Sequence, residues 1–300
     1  MSTTTSTRRW RRFALTAAVL AGAATSVTAV ASPASAVSGL QERGAVSAYN
    51  SVALKQLSIE CPPLQNAIGG TATIVGTTQV RILAAVPSGS GTSGSGFGIV
   101  ASEQESGTTA NWRIEGTVIC APRSSLPGLE YQNAQSAFSS PVSLEAKATC
   151  SPGKRVIGMG GEAWYNNPSD RSQVVLTGIR PNAAGTEVTA TGFEDQTGFS
   201  GNWRTYATAV CVNPVAGQHP VGAADGFDSD AAKSVAPQCE SDEQVHSLGF
   251  DLTGPSGGGT GETHVYRLGK AGRNGVINAV EDADGLSGSW RLRGYAICAN

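Results

Sequence analysis

The chain has 300 residues, 15% of them charged, with 21 Lys and Arg against 23 Asp and Glu and a formal net charge of −2. A mildly acidic chain without a basic patch does not suit nucleic acid or anionic membranes, so neither is an expected partner.

From the N-terminus, Arg8, Arg9, Arg11 and Arg12 form a basic segment, Phe13 to Val30 is apolar and Ala-rich, and Ala34-Ser35-Ala36 is an A-x-A cleavage site. This order predicts a secretory signal peptide over 1–36, a mature chain beginning near Val37 and an extracellular location. Arg11-Arg12-Phe13 partly matches the twin-arginine export motif, so either export route fits. No other stretch approaches ~20 consecutive apolar residues, so no further membrane span is expected. Without the four leader arginines, 17 basic face 23 acidic residues, a net of −6. The six Cys are an even number, and in an exported chain disulfides are their expected state.

After the leader the chain repeats itself. Cys61, Cys150 and Cys239 are 89 residues apart, and Cys120, Cys211 and Cys298 follow at spacings of 91 and 87. Gly39, Gly128 and Gly217 each lie 22 residues before the first Cys of a unit. Tyr49, Phe138 and Phe227 lie 12 before it. Glu103, Glu194 and Glu281 lie nine before Trp112, Trp203 and Trp290, and Arg113, Arg204 and Arg291 follow those tryptophans. The units are 37–127, 128–216 and 217–300, and self-similarity at a fixed period is the mark of a repeat architecture.

Within a unit the local pattern is β. Leu40 to Leu57 has the pattern of a short helix. In the second unit, "RVIGMGGEAWY", "SQVVLTGI", "TEVTATGF" and "WRTYATAVCV" are rich in Val, Thr and aromatics and are separated by "NNPSD", "RPNAAG" and "EDQTGFSGN". With 38 Gly in the chain, the expected class is all-β: three antiparallel repeats of about 89 residues. We expect a prism-like arrangement around a pseudo-threefold axis, a trimer within one monomeric chain, with three tandem small β-sandwiches as the alternative. A prism would bring the loops carrying Gly107, Gly198 and Gly285 to one end. Alternate residues of a strand face opposite sides, so Trp203, Thr205, Ala207, Ala209 and Cys211 share a face, which predicts the three tryptophans in the core. Identical units should close identically, which predicts Cys61–Cys120, Cys150–Cys211 and Cys239–Cys298.

"CSPGKRVIGMGGEAW", "VVLTGIRP" and "NWRTYATAVCV" of the second unit together resemble a module of secreted actinobacterial proteins, with a Cys-x-x-Gly-Lys-x-Val-x-Gly-x-Gly-Gly start and a Trp…Ala-x-x-Cys end. The resemblance covers three copies but is sharp only in the second. The glycine motif shortens to "CPPLQNAIGG" in the first and degrades to "CESDEQVHSLGF" in the third. It implies fold and location rather than chemistry. A weaker likeness, to the vitelline-membrane outer-layer proteins, implies three sheets in a lectin-like β-prism.

Catalytic and cofactor signals are weak. "GSGTSG" (89–94) matches G-x-G-x-x-G but is followed by "FGIVA" rather than a helix, so it reads as a loop. "GFSGN" and "GLSGS" fail as nucleophile elbows. His219, His246 and His264 have no metal spacing and read as surface histidines, and no C-x-x-C pair suggests zinc. "DGFDSD" (225–230) and "EDADG" (281–285) lack a full calcium-loop spacing and read as solvated turns. No catalytic residue, cofactor or metal is therefore expected. Glu103, Glu194 and Glu281 are expected to pair with Arg113, Arg204 and Arg291 across a hairpin, with the same six residues as candidate ligand contacts. An active site needs unlike groups, whereas repeated polar signals suit multivalent binding. The expected role is a secreted, non-enzymatic binding or surface-structural protein, with a glycan or cell-surface polymer as its first candidate partner. An extracellular matrix protein, a protease inhibitor and a secreted hydrolase are the alternatives. Unit-specific residues such as Trp164 and His246 are where one asymmetric site would arise.

Overall fold

A computed structural model describes residues 36–300 apart from 91–92, 166–172, 256 and 258. The leader, the centre of the glycine-rich stretch at 89–94 and the "NNPSD" turn at 166–170 lie outside the described residues. Each repeat gives six strands. The first has β1 (Gln41–Val46), β2 (Leu54–Glu60), β3 (Gln65–Val75), β4 (Val80–Ser90), β5 (Ser93–Glu103) and β6 (Arg113–Pro122). The second has β7 (Glu130–Gln135), β8 (Ser143–Thr149), β9 (Arg155–Tyr165), β10 (Val174–Pro181), β11 (Glu187–Glu194) and β12 (Trp203–Val212). The third has β13 (His219–Ala224), β14 (Ala232–Val235), β15 (Gln244–Thr253), β16 (Thr263–Ala271), β17 (Asn274–Glu281) and β18 (Arg291–Ala299). The expected helix between Leu40 and Leu57 is instead β1, a loop and β2. Ser47 Oγ in that loop accepts the Ile114 N–H at 2.9 Å, which ties the segment to β6 rather than to itself.

The strands form three six-stranded antiparallel sheets: β1-β6-β3-β16-β17-β14, β13-β18-β15-β10-β11-β8, and β2-β5-β4-β9-β12-β7. We refer to them as sheets A, B and C. Every sheet takes three strands from one repeat and three from another, so each repeat is divided between two sheets. Self-contained sandwiches would keep each sheet within one repeat, and these do not.

The three disulfides form as expected: Cys61–Cys120, Cys150–Cys211 and Cys239–Cys298. The first Cys of each pair follows an edge strand of one sheet, and the second lies in the penultimate strand of another. Each bridge therefore joins the two sheets its repeat supplies. One continuous set of buried side chains, including Ile68, Ile157, Phe250 and all three repeat tryptophans, runs through the three sheets.

The central strands β3, β9 and β15 come into close contact, and this explains the glycine motif. A Cβ on Gly158 would lie 1.8 Å from the Ile68 carbonyl oxygen, and one on Gly69 would lie 2.4 Å from that of His246. At the matching place in β15 stands Ser247, whose hydroxyl lies 3.0 Å from the Met159 N–H that it accepts and 3.3 Å from the Met159 carbonyl. No helix among the described residues is long and apolar enough to cross a membrane.

Candidate functional site

Trp203 opens β12, Trp112 and Trp290 stand immediately before β6 and β18, and all three are 0% exposed. A buried indole N–H needs an acceptor. It finds one in the repeated glutamate: Trp112, Trp203 and Trp290 donate from Nε1 to Glu103, Glu194 and Glu281 Oε1 at 3.2, 3.0 and 3.0 Å. The other oxygen of each carboxylate accepts a backbone N–H five residues on, from Thr108, Phe199 and Leu286. The nine-residue spacing thus builds a clamp that holds the loop against the tryptophan. The expected Glu–Arg pairing does not form, because the arginine faces the other side of the strand. Lys55 and Lys233 lie over Trp112 and Trp290, 3.9 and 4.9 Å from the ring centroids, while Leu144 takes that place in the second repeat.

The three arginines therefore mark the outer faces. Arg113 pairs with Glu115 and stands 5.6 Å from the Tyr49 ring. Arg291 faces Thr253 across β15 and β18. Arg204 is different. Its guanidinium carbon lies 4.7 Å from the Phe138 ring, 5.1 Å from Trp164 and 5.8 Å from Tyr206. Phe138 and Trp164 pack with centroids 6.0 Å apart, and Trp164 and Tyr206 edge-on at 6.4 Å. The sheet register explains the grouping: Arg204 faces Trp164, and Tyr206 faces both Glu162 and Gln135. Gln135 Oε1 accepts from Arg204 at 2.9 Å. All three aromatic rings are half-buried. Val75 stands at the Trp164 position in the first repeat and Thr253 in the third, so the platform occurs once.

The loops carrying Gly107, Gly198 and Gly285 do meet at one end. Ala283 N–H donates to Gln104 Oε1 at 3.0 Å, Thr197 Oγ1 to Glu105 Oε2 at 3.0 Å, and Gln196 Nε2 to Asp284. They enclose a cavity of about 370 Å³ lined by Gln104, Glu105, Asp195, Asp282 and Asp284. Asp195, Glu262 and Asp282 each offer an oxygen within 4.8 Å of the others, a spacing at which a hard cation can be shared. Burial and the repulsion of Asp282 and Asp195 push Glu262 up to about 7, and burial with Asp284 lifts Asp282 to about 7. The buried Arg81 guanidinium lies 3.9 Å from Asp195 and offsets part of this charge. Glu262 belongs to no repeated signal, so the sequence did not point to it, and "EDADG" is only partly the solvated turn expected.

No protein-family model matches this chain, and no curated protein matches it either.

Two histidines correct the sequence reading. His246 and His264 lie in β15 and β16 and are 0% and 1% exposed, because both faces of these strands are covered. Burial lowers each to about 4. His264 Nε2 lies 2.9 Å from the Thr78 carbonyl and His246 Nδ1 2.9 Å from that of Gln244. His219 is partly exposed beside Glu243, 3.4 Å away.

Proposed function

We propose that this is a secreted carbohydrate-binding protein whose ligand rests on the Phe138–Trp164–Tyr206 platform. The observation that supports this reading is the half-buried aromatic cluster around Arg204, built once although the scaffold is repeated three times. Aromatic faces take the C–H faces of sugar rings, and amphipathic rings with a polar handle are apt for binding. Gln135, Arg204 and Glu162 on neighbouring strands offer hydroxyl donors and acceptors beside the rings. A core residue would be buried and would serve the fold in every repeat, and Trp164 does neither.

The disulfides fit an oxidising extracellular setting, and the leader pattern supports export. The three shared sheets and the meeting of like loops support a prism-like arrangement about a pseudo-threefold axis. A glycan array followed by tryptophan-fluorescence titration tests the function. Wild-type protein should bind at least one polysaccharide, and Trp164→Ala should lose it with an unchanged melting temperature. A bound glycan indifferent to Trp164→Ala and Arg204→Ala would reject the platform. Failure to bind any glycan would favour a surface-structural role.

A further inference from the structure

The strand registers align the three sheets level by level. At the seam between repeats, Gly178 faces Asp251 in sheet B, Ala84 faces Glu162 in sheet C, and Arg267 faces Thr73 in sheet A. On their other side these residues face Thr191, Val100 and Asn278, which in turn face Glu145, Gln56 and Ser234. Two residues beyond the central position stand Arg180, Val86 and Gly269. The same place in the scaffold is thus filled in three ways.

Sheet A has an arginine at this level too, Arg267 lying against Gly269, but beside Thr73, Asn278 and Ser234. Of these three rows, that in sheet B sets its arginine between two carboxylates. Arg180 donates from Nη1 to Thr191 Oγ1 at 2.8 Å and to Asp251 Oδ1 at 3.2 Å, and from Nη2 to Glu145 Oε2 at 2.8 Å. Gly178 forms the floor. A methyl group there would lie 3.3 Å from Asp251 Oδ1, 3.4 Å from Arg180 Nη1 and 3.5 Å from Thr191 Oγ1. Glu145, Arg180, Thr191 and Asp251 line a cleft of about 420 Å³ with Phe193 on its apolar side. The volume falls in the range of small-molecule sites, roughly 300–1,000 Å³.

Folding does not account for this network. Desolvation offsets most of the attraction in partly buried ion pairs, and burial lifts the Asp251 carboxyl above its ordinary range. Sheet C holds the same level with Val86 and Val100. A requirement of the fold would recur at three equivalent rows.

We propose that this cleft binds a single neutral sugar ring, at a site separate from the platform. Lys147, 2.9 Å from Glu145, and Arg180 balance Glu145 and Asp251, so the cleft favours no net ligand charge. The carboxylate oxygens accept hydroxyl protons, as does the Thr253 hydroxyl, whose own proton goes to Asp251 Oδ2 at 3.4 Å. The guanidinium edge donates, and Phe193 covers the C–H face. This polarity pattern suits adjacent hydroxyls on one ring.

The test is amide chemical-shift mapping of Trp164→Ala protein with the methyl glycosides of glucose, galactose and mannose, so that the platform cannot contribute. At least one glycoside should shift the amides of Glu145, Thr191 and Asp251. Arg180→Lys, which keeps the charge but loses the fork, should weaken that binding roughly tenfold or more. Glu145→Gln, at a half-exposed position, should weaken it without lowering the melting temperature. The proposal is overturned if none of the three glycosides shifts these amides, or if both substitutions leave the affinity unchanged. Because platform binding is read in wild-type protein with polysaccharide, either site can fail without the other.

Discussion

At the residue scale, the Trp–Glu clamp is the clearest repeated interaction, and its energetics can be stated. Removing a fully buried tryptophan leaves a cavity in the shared core, so Trp203→Ala should cost about 3–5 kcal/mol of stability. Glu194→Gln keeps an acceptor for one of the two donors but turns an NH2 toward the other, and should cost about 1–3 kcal/mol. Chemical denaturation of the two variants checks both the values and their order. The acidic end makes a second, pH-dependent statement. Glu262 and Asp282 sit at about 7 in the folded protein, whereas an unfolded carboxylate titrates near about 4. Their raised values favour the fold at low pH, and that contribution is lost as pH rises through 7. The buried His246 and His264, lowered to about 4, act in the opposite sense, losing stability as pH falls through 4. The wild-type melting curve therefore mixes the two effects, and a difference separates them. Glu262→Gln should melt together with wild type near pH 4 and a few degrees above it at pH 8. A pH-independent difference would remove the electrostatic account of this end.

At the scale of elements, the long central strands were legible and the edge strands were not. "RVIGMGGEAWY" and "WRTYATAVCV" coincide with β9 and β12, because both pack on the core and carry dense β-branched and aromatic residues. The edge strands β7 (Glu130–Gln135) and β8 (Ser143–Thr149) are polar and half-exposed, and Leu40–Leu57 read as helix because β1 and β2 carry no β-rich alternation. Strand periodicity does report which side a residue faces, so the tryptophans and disulfides could be placed. It does not report which strand lies alongside. The Arg180 row depends on pairings between elements far apart in sequence and could not be read before the registers were known. Glu194 meets Trp203 only nine residues on, so that spacing was visible in the sequence, although Arg204 is the partner the sequence suggests. Each disulfide joins an edge strand of one sheet to the penultimate strand of another, across loops of 59 to 61 residues. Replacing Cys150 and Cys211 together by Ser should cost about 4 kcal/mol by chain entropy. It should also speed hydrogen exchange in β8 and its neighbour β11 before it does so in sheet A, which exchange mass spectrometry would resolve.

At the scale of the whole molecule, the repeats are not beads. Sheet A joins the first and third repeats, sheet B the second and third, and sheet C the first and second, so each depends on both others. The small joints between repeats have the same logic: Val37, Leu126 and Val215, each two residues before a repeat's first glycine, are all buried, and the Val37 N–H donates to the Asn300 carbonyl at 2.7 Å. The three repeats should therefore unfold in one cooperative transition, and mutations far apart should lower a single melting temperature. A repeated scaffold with a shared core also leaves its outer faces free to diverge, which is where both the aromatic platform and the Arg180 cleft are found. The most direct test of this interdependence is to express residues 128–216 alone. That segment retains β7 to β12 as two three-stranded halves, with β9 and β10 each missing the strand it pairs with across a seam. It should be unfolded, or should associate into trimers that restore the missing pairs, as read by circular dichroism with sedimentation. A stable, folded monomer of 128–216 would contradict the account.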